Sequence, residues 1–165
     1  MLLSEDICPE SSISLADYTQ AALIVPRLRE RETAGVIKEL SQLLQQEGCV
    51  PDVLPFYNET LNREFLVNTA TENGFAFPHA RLSGIARMSF ALGHSAQPLV
   101  WGAKGSVPVN FVFLVAVPAT DASSYLQLLS ALIRLGNNPD WLRQLKEAKR
   151  SQEILHLLGQ VKLRT

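Results

Sequence analysis

Cysteine is scarce in this chain: Cys8 and Cys49 are the only two in 165 residues, and neither belongs to a Cys-x-x-Cys pair. That excludes a disulfide framework and a cysteine-rich zinc site, and makes a reducing cytoplasm the default compartment. An excess of either charge is missing too. The 15 basic and 16 acidic side chains leave a formal net charge of −1. A broad basic face for nucleic acid or an anionic membrane is therefore not expected. Long apolar runs are also lacking. The longest, Val107 to Val117, contains Pro108 and Asn110 and reaches only about half a membrane span. The opening Met-Leu-Leu-Ser-Glu-Asp has no basic residue ahead of its apolar ones, so neither a targeting segment nor membrane insertion is expected. Histidine is limited to His79, His94 and His156, which keeps the search for a reactive centre short.

What is present suits one compact domain. The chain is 47% hydrophobic, enough to bury a core without staples and too apolar for disorder. Residues 1–20 cluster Ser, Pro, Asp and Glu with weak periodicity and read as an irregular lead-in, leaving 21–165 as the domain. Ala21 to Val25, stopped by Pro26, reads as a short strand. Val36, Ile37, Leu40, Leu43 and Leu44 follow helical spacing from about Thr33 to Glu47, with Gly48 as the stop. A second helix is expected from Asp52, as N-cap, towards Phe65, with Pro55 harmless in its first turn.

The texture then changes. Asn68 to Gly74 reads as a polar loop and Phe75-Ala-Phe77 as a short strand ended by Pro78. Met88, Phe90 and Leu92 alternate with Ser89, Ala91 and Gly93, the pattern of a strand with one covered face. Val107 to Val117 has the near-continuous apolar character of a central strand, and Gly102 and Gly105 suit the turn before it. Beyond it, Asp121 or Ser123 can cap a helix carrying Leu126, Leu129, Leu132 and Ile133 on one stripe. Asn138-Pro139 opens a second helix through Lys149, and Ser151 can cap a third with Ile154, Leu155 and Leu158. Two helices, several strands and three helices make an α/β sandwich around one mixed sheet.

Among the histidines, His156 falls on the last amphipathic helix and His94 follows a strand in Gly93-His-Ser95; both read as structural. His79 differs, because a strand end and the fixed φ of Pro78 set its backbone direction. It has no second His or Cys at metal-ligand spacing. The chain holds no Gly-x-Ser-x-Gly elbow, and Trp-Gly-Ala-Lys-Gly lacks the Lys-Ser/Thr ending of a phosphate loop.

The run Asn73-Gly-Phe-Ala-Phe-Pro-His-Ala80 resembles the phosphorylation-site motif of the fructose/mannitol-type enzyme IIA domains of the bacterial phosphotransferase system, nitrogen-regulatory branch included. Asn62-Arg-Glu64 is similar to the Arg-Glu pair ahead of that site, and Val109 to Pro118 to the family's central strand. Tyr125-Leu-Gln-Leu-Leu-Ser-Ala-Leu132 is similar to its His-Leu-x-x-Leu-x-x-Leu helix, and Asn138 to Leu158 to its closing helices. The likeness covers about residues 20–160. Three departures stand out. Ala70 and Glu72 replace common glycines, Phe75 and Phe77 replace aliphatic residues, and Tyr125 takes the place of the family's second histidine.

The resemblance implies a cytoplasmic phosphocarrier with the enzyme IIA fold. His79 would accept phosphate from an HPr-like carrier protein and pass it to a cysteine of a IIB domain, with no metal or organic cofactor. Its competitor is a regulatory, nitrogen-type binding protein with weak or no transfer. A neutral imidazole is a fair nucleophile near neutral pH, and phosphoryl transfer asks mainly for positioning and charge stabilisation. Arg63 can supply a charge-assisted fork to the phosphoryl oxygens. Tyr125 is expected near the N-terminus of a helix starting about Ala122, facing His79, where unpaired N–H groups suit phosphoryl oxygens.

Overall fold

The computed structural model describes residues 13–102 and 107–163. Its centre is the hairpin of β4 (Ser89–Trp101) and β5 (Val107–Pro118), paired antiparallel with Phe90 opposite Val115 and His94 opposite Phe111. On one side β1 (Ile24–Val25) runs parallel to β4. On the other, β2 (Phe75–Ala76) and β3 (His79–Leu82) follow one another along β5, both parallel to it. The sheet is therefore mixed.

Side-chain alternation along the hairpin, reset once at the register shift between His94 and Leu99, feeds two cores. Phe90, Leu92, Phe111, Phe113, Val115 and Val117 point to one face and Ala91, Leu99, Trp101, Val109, Val112 and Leu114 to the other. The first face is covered by α3 (Ala122–Gly136), α4 (Pro139–Glu147) and α5 (Ser151–Gly159) through Leu128, Leu132, Trp141, Leu145, Ile154 and Leu158. The second is covered by α1 (Thr33–Gln46) and α2 (Val53–Leu66), with Val36, Ile37, Leu40 and Leu44 at helical spacing and Phe56 beside them. The molecule is the expected α/β sandwich.

Several local expectations are corrected. Residues Ser89 to Ser95 are buried on both faces rather than one, because helices cover both, and β4 continues to Trp101. His94 lies inside β4 and not in a loop; its ring stacks on Phe111 at 4.4 Å and its Nδ1 donates to the Pro26 carbonyl at 3.2 Å. The buried stripe of α3 is Leu128, Ala131, Leu132 and Leu135, whereas Leu126 and Ile133 face outwards. Ala21–Leu23 is a 3-10 turn leading into β1. Residues read as an irregular lead-in contribute a further 3-10 turn, Leu15–Tyr18, whose Leu15 is fully buried. Such short turns lack the repeated period that a sequence shows for a helix or strand.

The caps follow side-chain chemistry. Asp121 Oδ1 accepts from Ser124 N at 3.1 Å and Asn138 Oδ1 from Trp141 N at 3.1 Å. At α5 the capping position is Arg150, one residue earlier than Ser151, since Glu153 Oε1 accepts from the Lys149 and Arg150 amides at 2.9 and 3.0 Å. Asp52 precedes α2 without a capping hydrogen bond, and α4 ends at Glu147. Gly102 adopts φ +88° and donates to Thr33 Oγ1 at 3.0 Å, while Gly105 and Cys8 lie outside the described residues.

Candidate functional site

The segment that carries His79 is stitched to the central strand on both sides of its bend. Gly74, at φ +86°, offers its carbonyl to Asn110 N and Phe111 N at 2.8 and 3.0 Å. Pro78 offers its carbonyl to Val115 N at 2.9 Å. Between these anchors Phe75 and Phe77 pack edge-on and stacked against Phe111 and Phe113, with ring centroids 5.2 to 5.7 Å apart. The aromatic floor fixes the direction in which β3 begins. His79, its first residue, is partly exposed on the face covered by α3.

Two groups meet the Nδ1 side of the His79 ring. The Phe77 carbonyl lies 3.1 Å from Nδ1, and a carbonyl only accepts, so Nδ1 carries the hydrogen. Tyr125 Oη lies at 3.1 Å from the same nitrogen, with the two rings 4.6 Å apart and tilted by 31°. Nε2 is left with its lone pair. The ring therefore offers a nucleophile on the side away from Phe77.

Burial is the main cause that pulls the His79 pKa below its usual 6.5; the Phe77 hydrogen bond and the Glu64 carboxylate oppose it, and the Arg63 charge reinforces it. His79 is accordingly neutral near pH 7. Burial also pushes Tyr125 up to about 12, with Arg63 lowering and Glu64 raising it. Arg63 and Glu64 thus act on both rings. Arg63 is exposed, and its Nε sits 3.9 Å from Glu59 Oε2 with 57% and 49% of the two side chains open to solvent. A pair so open is worth little, so the guanidinium is free to turn to another anion.

Of the three residues marked by the sequence, the structure joins His79 and Tyr125 by direct contact and places the charge of Arg63 close enough to act on both. The helix N-terminus is less open than expected. Ser124 N–H is already taken by the Asp121 carboxylate, which puts a negative group where phosphoryl oxygens were expected. His156 lies exposed on α5.

Residues 18–161 match the family model described as phosphoenolpyruvate-dependent sugar phosphotransferase system, EIIA 2. The chain belongs to this family. It is 30% identical over 127 residues to a PTS fructose-specific EIIA component of Haloferax volcanii, covering 77% of this chain and 82% of that protein. It is 26% identical to a nitrogen regulatory protein of Pseudomonas aeruginosa, covering 76% and 82% respectively. It spans only about a fifth of the EIIABC components of Escherichia coli and Bacillus subtilis that it also matches. In three dimensions it is similar to Escherichia coli mannitol enzyme IIA, solved in complex with phosphorylated mannitol enzyme IIB. That similarity has a TM-score of 0.72 at 16% identity and covers 86% of this chain and 96% of that one. The last likeness shows the fold. No helix among the described residues is long and apolar enough to cross a membrane.

Three further residues join the site: Glu64, which the sequence marks only as half of the Arg-Glu pair, and Thr69 and Trp101, which both donate to its carboxylate. The available signal was the four-residue spacing Phe56, Thr60, Glu64, which forms the buried stripe of α2 and ends on a carboxylate.

Proposed function

We propose that this EIIA chain is a phosphocarrier in the cytoplasm, taking a phosphoryl group on Nε2 of His79 from an HPr-like carrier protein and passing it to a cysteine of a IIB domain. The observation that carries the reading is the engagement of Nδ1 by the Phe77 carbonyl, which leaves Nε2 as the nucleophile on a neutral ring. In the first step the Nε2 lone pair forms a P–N bond as the donor's P–N bond breaks. In the second, a cysteine thiolate takes the phosphorus and the electron pair returns to Nε2. Arg63 meets the phosphoryl oxygens, and the Tyr125 hydroxyl, whose own hydrogen is not required by Nδ1, can donate to them. The mannitol IIA–IIB complex among the structural relatives supports a IIB partner.

A second reading, a regulatory binding protein with weak transfer, is favoured by one feature. Tyr125 stands where the family's second histidine is expected, and nitrogen regulatory proteins are among the relatives.

Incubation with phosphoenolpyruvate, enzyme I and HPr followed by intact mass tests the carrier. The wild type gains one phosphate that is labile in acid and stable in base. His79→Ala abolishes the gain, whereas His94→Asn and His156→Asn keep it. A label that persists in His79→Ala overturns the assignment.

A further inference from the structure

Glu64 is a carboxylate with 2% of its surface exposed. Burying such a group is costly unless donors surround it. Its Oε2 receives Trp101 Nε1 at 2.7 Å, Thr69 N at 2.8 Å and Thr69 Oγ1 at 2.8 Å. Because the hydroxyl hydrogen of Thr69 goes to Glu64, its lone pair is free to accept Phe77 N–H, at 2.7 Å. The other polar group of Phe77, its carbonyl, receives His79 Nδ1–H at 3.1 Å. Hydrogen bonds therefore pin Phe77 on both sides of its Cα: its N–H is tied through Thr69 to a buried charge, and its carbonyl meets the reactive ring.

These bonds exist because the sheet is interrupted there. Ala76 pairs with Val112 and His79 with Val115, so Phe77 and Pro78 fall between the two registers. Pro78 has no N–H to offer. Both backbone groups of Phe77 are thereby free of the ladder and available to the side chains of Thr69 and His79.

We propose that Glu64, acting through Thr69 and the backbone placement of Phe77, is the positioning residue that holds His79 in the Nδ1–H tautomer and so presents Nε2 to the incoming phosphoryl group. The inference rests on the reading of His79 as acceptor. Glu64 does not touch the phosphoryl group and gives up no proton. The coupling is positional: fixing the Phe77 N–H fixes the backbone that aims its carbonyl at Nδ1, and the charge on Glu64 strengthens the first of those bonds. Once Nε2 has bonded to phosphorus and Nδ1 keeps its hydrogen, the ring gains positive character. The negative charge of Glu64 offsets it, as it already favours the protonated ring in the free protein. Trp101, fully buried, holds the same carboxylate oxygen that Thr69 meets.

Nitrogen NMR shifts of the His79 ring, read at about pH 8 where the imidazole is neutral, report the tautomer directly. The rate of phosphate acceptance from phosphorylated HPr is measured on the same samples, and melting curves verify folding. The wild type is expected in the Nδ1–H form. Thr69→Val cuts the link at near-constant volume, and Glu64→Gln removes the charge while keeping an oxygen acceptor. Both are expected to give a mixture of tautomers and to slow acceptance about tenfold. Thr69→Ser restores the hydroxyl and stays within about twofold of wild type. A wild-type ring in the Nε2–H form overturns the proposal whatever the variants do. So does a folded Thr69→Val or Glu64→Gln protein with an unchanged tautomer. Failure of the carrier reading is visible separately: His79 then takes no phosphate although its ring reports Nδ1–H.

Discussion

Tyr125 Oη lies 3.1 Å from Nδ1 of His79, the nitrogen that also faces the Phe77 carbonyl. The tyrosine oxygen is thus a second acceptor for one N–H, and its own hydrogen is left for another partner. Tyr125→Phe keeps the tilted ring contact and loses only that oxygen. One neutral hydrogen bond is worth about 1 kcal/mol, so phosphate acceptance should slow about fivefold with folding intact. Tyr125→His supplies a group that can charge as the phosphoryl group arrives, whereas Tyr125, pushed up to about 12, cannot. It should speed acceptance, most visibly near pH 6. Rates unchanged by both substitutions would reduce Tyr125 to packing.

Arg63→Lys tests the guanidinium fork. The ammonium keeps the charge but meets phosphoryl oxygens as a point and not as a planar pair of donors. Charge-assisted contacts are worth about 1.5–3 kcal/mol, and the exposure of Arg63 argues for the lower end, roughly a tenfold slowing in stopped-flow transfer from HPr. Melting should not move, because the Glu59 pair it loses is solvent-exposed. An unchanged rate would make Arg63 a surface residue.

The parts of this fold that show a long repeat were legible in the sequence, and the parts set by pairing partners were not. Val36, Ile37, Leu40 and Leu44 announce α1, and the apolar run to Val117 announces β5, because each repeats a burial pattern over several turns or pleats. His79-Ala-Arg-Leu82 shows no such pattern. It is a strand because β5 lies alongside it, with His79 opposite Val115 and Leu82 opposite Pro118. The stripe on α3 was placed one step round the helix, since leucines at 126, 128, 129 and 132 fit more than one face and only the sheet chooses. At the site, His79, Arg63 and Tyr125 were marked by a local motif and a resemblance. Thr69 and Trp101 were hidden, and Glu64 was marked only as half of a pair with no role, because their contacts join α2, the site loop and β4, and spacing within one element cannot reveal them.

Acid should cost this protein both activity and stability. Burial holds His79 and His94 below the usual 6.5, so the folded chain binds fewer protons than the unfolded one as pH falls through that value. Stability then rises with pH: these two groups leave it intact above about pH 6.5 and withdraw it progressively below. The melting temperature should be level between about pH 7 and 8 and fall towards pH 5. His94→Gln should flatten part of that slope without changing transfer, because His94 lies in β4 against Pro26 and Phe111. Phosphate acceptance should follow the neutral fraction of His79 and plateau by pH 7. A melting temperature that climbs on acidification would contradict the sign of both shifts.

Gly74 ties the loop to the central strand, and its replacement separates strain from misplacement. At φ +86° an L side chain costs about 1–2 kcal/mol. A Cβ there would also stand 3.2 Å from Asn110 Oδ1, beside the backbone amide that bonds the Gly74 carbonyl. Gly48, at φ +79° beyond α1, has the same handed backbone with nothing within 4 Å of an added Cβ. Gly74→Ala and Gly48→Ala should therefore both lower the melting temperature, by roughly 2–8 °C for a chain of this size. Only Gly74→Ala should also slow phosphate acceptance, because only there must the neighbour move, and that neighbour sits one residue from the Phe111 amide that anchors the loop carrying His79. Equal transfer rates in the two variants would mean that the site tolerates movement of its anchor. A loss confined to Gly74→Ala, at matched stability, would show that the bend before Phe75 sets where His79 begins its strand.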